Sequence, residues 1–95
     1  MVLEVAVFEI NEGQEDAFAA AYAQARPIIA EADGCRSVRM TRGVESPKRF
    51  VLLVEWETLE AHTEGFRGSE RFPRWRAAID SFWSAPPVVE HYRDV

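Results

Sequence analysis

Residues Arg49 to Glu57, RFVLLVEWE, are apolar on both sides of any strand they form. Side chains alternate along a strand, so Phe50, Leu52, Val54 and Trp56 share one side. Val51 and Leu53 share the other, followed by Glu55 and Glu57. Val2 to Ile10 splits in the same way, into Leu3, Val5 and Val7 against Ala6, Phe8 and Ile10. A half-solvated antiparallel sheet has one polar face. A sheet of these strands has none, so both of its faces need cover.

The remaining segments show where one cover comes from. Asn11 is placed to cap a helix that carries Glu15 and Asp16 in its first turn, where the helix dipole favours acids. Phe18, Tyr22, Ala25, Ile29 and Ala32 then recur at spacings of four and three, the stripe of an amphipathic helix. Pro27 falls inside it and predicts a bend or a loosened turn. Asp33-Gly34 closes it. Cys35 to Arg42 reads as a second strand, and GVESPK (Gly43 to Lys48) turns it back into the third as a hairpin. Thr58 caps a short helix over Leu59 to Phe66, Gly68 interrupts, and Ser69 caps a second segment with Phe72, Trp75, Ile79 and Phe82 in helical phase. Ala85-Pro86-Pro87 stops that helix, and Val88 to Arg93 is a last strand that Pro87 assigns to an edge or a strand start.

The predicted fold class is therefore α+β, one domain spanning residues 1–95. Its order is β-α-β-β-α-β, the ferredoxin-like split βαβ, with a four-stranded antiparallel sheet and the second helix broken in two. Helices in this order cover one sheet face. The other face is expected to pair with a second copy of the chain in a two-fold homodimer. Alternation alone does not say which face does which.

Composition excludes several function classes. The net charge of -5 gives no footprint for nucleic acid. No stretch approaches a membrane span, and MVLEVAVFEI is broken by Glu4 and Glu9 and lacks the basic start of a signal peptide. Cys35 is the single cysteine, so no intrachain disulfide is expected, and a reducing cytoplasm fits. There is no Gly-rich nucleotide loop, no paired cysteines and no G-x-S-x-G elbow. No metal and no cofactor are expected.

The chemistry then falls to two histidines. His62 lies early in the short helix after the third strand, and His91 lies on the last strand. Histidine accepts a proton near neutral pH, and an apolar cleft with one or two titratable groups is the default ligand site. Trp56, Phe66, Trp75 and Tyr92 are candidates to line that cleft and hold a ring by stacking. Each feature also has a plainer reading. A histidine at a helix end often serves only local hydrogen bonds, and aromatic stripes are usually core. A two-histidine, one-carboxylate metal set with Glu55 or Glu90 is conceivable, but the spacing does not require it.

The stretch FVLLVEWETLEAHTEGFRGSERFPRW (Phe50–Trp75), the terminal PPVVEHY (Pro86–Tyr92) and NEGQEDAF (Asn11–Phe18) after the first strand resemble the antibiotic biosynthesis monooxygenase domain of the dimeric α+β barrel superfamily. That resemblance implies a homodimer packed sheet to sheet and a pocket in each protomer between helices and sheet. It also implies a cofactor-independent monooxygenase or quinol-type oxidase acting with O₂ on a small phenolic aromatic. His62 or His91 would be the base. The alternative is a non-catalytic dimeric module of the same fold that binds a small apolar ligand. Haem-degrading relatives carry an asparagine, a tryptophan and a haem-ligating histidine where this chain has Ala6, Phe66 and Arg76, which argues against haem cleavage here.

Overall fold

The computed structural model describes residues 1–95. Strands β1 (Val2–Glu9), β2 (Cys35–Arg42), β3 (Arg49–Trp56) and β4 (Val88–Tyr92) form one sheet in the order β2-β3-β1-β4, with every neighbouring pair antiparallel. Helices α1 (Glu15–Ala30), α2 (Ala61–Phe66) and α3 (Arg71–Ile79) follow β1 and β3, and a short 3₁₀ turn, Asp80–Phe82, extends α3. This is the expected α+β order. The broken helix and the edge position of β4 also match the sequence reading.

Strand register decides which face is which. Val2, Glu4, Ala6 and Phe8 lie opposite Trp56, Val54, Leu52 and Phe50, and all eight are buried. Phe18, Ala25 and Ile29 of α1, and Trp75 and Ile79 of α3, pack onto this face in one continuous core. The core is markedly aromatic at its β1–α1 end, where Phe18 meets Phe50 edge to face at 4.9 Å and Phe8 at 5.8 Å. On the opposite face, Leu3, Val5 and Val7 run beside Glu55, Leu53 and Val51. No helix of the chain crosses them, and these five apolar side chains remain partly exposed.

Boundaries shift at three places for local reasons. Asn11 does not cap α1: residues Asn11 to Gln14 first make a turn, closed by the Gln14 N–H donating to the Asn11 carbonyl at 3.0 Å, and the helix starts at Glu15. Gly13 holds φ +86° in that turn, a conformation that favours glycine. Pro27 lies inside α1, as the sequence places it, and the helix closes at Ala30 rather than at Asp33-Gly34. The proline sits one turn from the C-terminus, and its carbonyl still accepts the Glu31 N–H at 3.0 Å. The third shift is in α2, where the Arg67 N–H reaches back five residues to the His62 carbonyl at 3.0 Å. This wide π-type turn sets His62 and Phe66 on one face, with ring centroids 6.2 Å apart.

Thr58 and Ser69 act as the sequence anticipates. The Thr58 hydroxyl accepts the Ala61 N–H at 3.1 Å, and the Ser69 hydroxyl accepts the Arg71 N–H at 3.2 Å. Gly34, with φ +82°, carries the chain from α1 into β2, and a Cβ there would stand 2.7 Å from that of Ala61. The α1–β2 junction and α2 therefore touch backbone to side chain. No helix is long and apolar enough to cross a membrane.

Candidate active site

A cavity of about 220 Å³ lies between the helix-covered face of the sheet and the broken helix. Ala6, Phe8, Phe66, Trp75 and Trp83 supply much of its apolar wall. Its polar lining comes from Glu4, His62, Arg67 and Arg76. Ala6, Phe66 and Arg76 all line this cavity.

Glu4 is the residue the sequence reading passed over. It is 4% exposed and lies on the helix side of β1, between Val2 and Ala6. The Trp56 indole N–H donates to Glu4 Oε1 at 2.9 Å, and His62 Nε2 lies 3.3 Å from the same oxygen. His62 Nδ1 lies 2.7 Å from His91 Nε2. Register explains the meeting: His91 of β4 sits directly opposite Glu4 of β1, and α2 brings His62 down onto both. The result is a continuous chain, Trp56–Glu4–His62–His91. His62 stacks on Trp56 with centroids 5.1 Å apart and planes within 16°.

The hydrogen-bond directions follow from charge. With Glu4 ionised, His62 is neutral, donates from Nε2 to Glu4 Oε1, and accepts at Nδ1 from His91 Nε2–H. Both ring nitrogens of His62 are thus engaged. Glu4 Oε2 has no hydrogen-bond partner in the protein and is not a sealed orphan, so it is the carboxyl atom left to the cavity.

Burial raises the Glu4 pKa above its ordinary 4.5, against the opposing pull of the Trp56 hydrogen bond and the charge of Arg67. Burial also pushes the His62 imidazole from 6.5 to about 3, helped by the positive charges of Arg67 and His91. His91 is lowered as well, by burial and then by Arg67. Burial, followed by the Glu4 charge, pushes the Cys35 thiol up and away from a reactive thiolate.

These shifts have opposite signs in stability. The unfolded chain protonates His62 near pH 6.5 while the folded chain does so only near pH 3. The His62 contribution is therefore intact above pH 6.5 and is lost as pH falls below it, by about 2 kcal/mol at pH 5. Glu4 acts the other way, stabilising below pH 4.5 and losing that contribution as pH rises through its raised value. Thermal melts between pH 7 and 5 should thus show a smaller acid-side decline in His62→Gln than in the wild type. Parallel curves would contradict the assignment.

The structure brings together His62, Phe66 and Trp75 on the cavity wall. His91 stands behind His62 and opens onto an outer recess with Val2, Leu59 and Tyr92. Trp56 does not line the cavity, being fully buried beneath His62. Tyr92 is half-exposed on the opposite sheet face, where its hydroxyl donates to Glu90 at 3.1 Å. Glu55 and Glu90 lie on that face too, away from His62, so the conceivable two-histidine set with either carboxylate is not assembled.

The chain belongs to the antibiotic biosynthesis monooxygenase family, whose model matches residues 1–78. It is 45% identical over 95 residues, the full length of both proteins, to the "uncharacterized protein YczJ" of Bacillus subtilis (strain 168). The crystal structure of a "putative antibiotic biosynthesis monooxygenase" from Bordetella bronchiseptica matches with a TM-score of 0.95 at 38% identity, covering 99% of this chain and 96% of that one. The structure of Rv0793 from Mycobacterium tuberculosis shares the fold at a TM-score of 0.80 and 22% identity, covering 99% of this chain and 94% of that one.

Proposed function

We propose that this monooxygenase-like domain oxidises a small phenolic aromatic with O₂, without metal or organic cofactor. The observation that carries the reading is the Glu4–His62–His91 chain, which brings a proton acceptor with a raised pKa to the wall of an otherwise aromatic cavity.

The chemistry needs little else from the protein. A phenol or hydroquinone that loses its O–H proton becomes electron-rich enough to reduce O₂ itself. Oxygenation of an activated CH₂ to C=O takes four electrons from the substrate, places one oxygen atom in the product and releases the other as water. Oxidation of a hydroquinone to the quinone takes two electrons and yields hydrogen peroxide. In either case the protein orients the ring, excludes water and takes the first proton. Glu4 Oε2 faces the substrate and accepts that proton. His62 holds Glu4 in place, and His91 links the pair to the outer recess. Phe66 and Trp75 hold the ring.

Oxygen uptake with a panel of hydroquinones and anthrones tests this. At least one should be consumed roughly tenfold or more faster by the wild type than by a His62→Ala, His91→Ala double variant. If every compound gives equal rates with both proteins, the catalytic reading fails. Ligand-induced thermal stabilisation without turnover would then identify a binding module.

The same proposal includes a homodimer through the open sheet face. Leu3, Val5, Val7, Val51 and Leu53 form a contiguous apolar strip there with no internal cover. Light scattering at micromolar concentration should give twice the chain mass, and Val5→Glu with Leu53→Lys should give a folded monomer. A monomeric wild type would contradict it.

A further inference from the structure

We infer that the cavity takes a small arene bearing one anionic group, a carboxylate or an ionised acidic phenol, with Arg67 and Arg76 holding the anion. This deepens the proposed function by naming a ligand class. It rests on the same cavity being the ligand site, but not on turnover.

The chain is acidic overall, with a net charge of -5, yet its cavity is not. Two arginines line it against one carboxyl group, Glu4. Of the other eight arginines, Arg36, Arg42, Arg49 and Arg74 pair with carboxylates, Arg26 and Arg71 donate to the backbone carbonyls of Val38 and Ile28, and Arg39 and Arg93 lie exposed away from the cavity. Arg67 and Arg76 have no such partner, and both project from the elements that close the cavity. Arg76 is held over the Trp83 ring, its guanidinium carbon 5.6 Å from the ring centroid. The Trp83 ring lines the cavity, while its indole N–H is sealed away from it. Two guanidinium groups without a protein acceptor, both also reached by solvent, leave this wall short of acceptors. An anionic oxygen pair supplies them.

Glu4 opposes an anion least where the arginines are. Its carboxyl is tied at the sheet by Trp56 and His62. Burial, and after it the charge of Arg67, lowers the pKa of both histidines. The opposing walls, Ala6, Phe8, Phe66 and Trp75, are apolar and suit a ring. A volume of about 220 Å³ exceeds the roughly 150 Å³ that accepts benzene, so one substituted ring fits.

Anaerobic calorimetric titration at neutral pH tests the inference with two matched pairs. One is 4-hydroxybenzoate against 4-hydroxybenzamide, for the carboxylate source. The other is pentafluorophenol against pentafluorobenzyl alcohol, for the phenolate source. At least one anion should bind roughly tenfold tighter than its neutral partner, and the pair that shows this names the source. In the Arg67→Gln, Arg76→Gln double variant the ratio should fall to near one while the neutral partner's affinity holds. That retained affinity also shows the cavity intact. Equal affinity within both pairs, no binding of any of the four, or a preference that survives in the double variant would overturn the inference. Because nothing turns over in this experiment, its failure is separate from a failure of the oxygenase reading.

Discussion

Replacing Trp56 by alanine is expected to remove about 4 kcal/mol of stability and to bring this small domain close to its unfolding threshold. Trp56 is fully buried, and its ring touches His62 and Phe66 at 5.1 and 5.8 Å. Large-to-small substitution of such a ring costs about 3–5 kcal/mol through lost burial and an unfilled cavity. The same change strips Glu4 Oε1 of its 2.9 Å donor, leaving a buried carboxyl with His62 alone. Domains of this size hold about 5–15 kcal/mol in total. The melting temperature should fall by roughly 20 °C. Trp56→Phe keeps an aromatic ring and loses the donor, so it should cost less, about 1–2 kcal/mol. Urea titrations of both variants check this. An alanine variant within about 1 kcal/mol of wild type would show that the ring does not carry this corner of the core.

Glu4→Gln should separate catalysis from stability. Glutamine keeps a carbonyl oxygen to accept from Trp56 but cannot take a proton. Loss of a positioned general base lowers turnover by roughly 10²–10⁴-fold, and this loss should appear in kcat. Stability should move the other way at alkaline pH. Burial disfavours ionised Glu4, so removing its charge relieves a penalty that grows as pH rises through its raised pKa. An inactive variant with an unchanged or higher melting temperature at pH 8 is the expected result. An active one would move the proton acceptor elsewhere.

The sequence made the architecture legible because its signals were redundant. RFVLLVEWE, the Phe18–Ile29 stripe, two hydroxyl caps and the Pro86-Pro87 stop all pointed to one order of elements. Face assignment was not legible, because both faces of β1 and β3 are apolar and only register tells them apart. The site was half legible. His62 and His91 stood out by residue type, and they do meet. Glu4 did not, although its signal was present: it shares the phase of Val2, Ala6 and Phe8. A charged residue in phase with a buried strand face needs a partner, and that need was the missed clue. Tyr92 and Trp56 were judged by ring type alone. Alternation sends Tyr92 to the far face of β4, and it sets Trp56 beneath His62 rather than beside a ligand.

The central claim is that this protein directs O₂ onto a phenolic aromatic with only its own side chains. Turnover under ¹⁸O₂ by protein stripped of metal and flavin measures this most directly. The account predicts one labelled oxygen atom in a ketone or quinone product, or stoichiometric labelled hydrogen peroxide from a hydroquinone. Consumption that vanishes on stripping and returns with an added metal or flavin, or no consumption with any phenolic substrate, would contradict it.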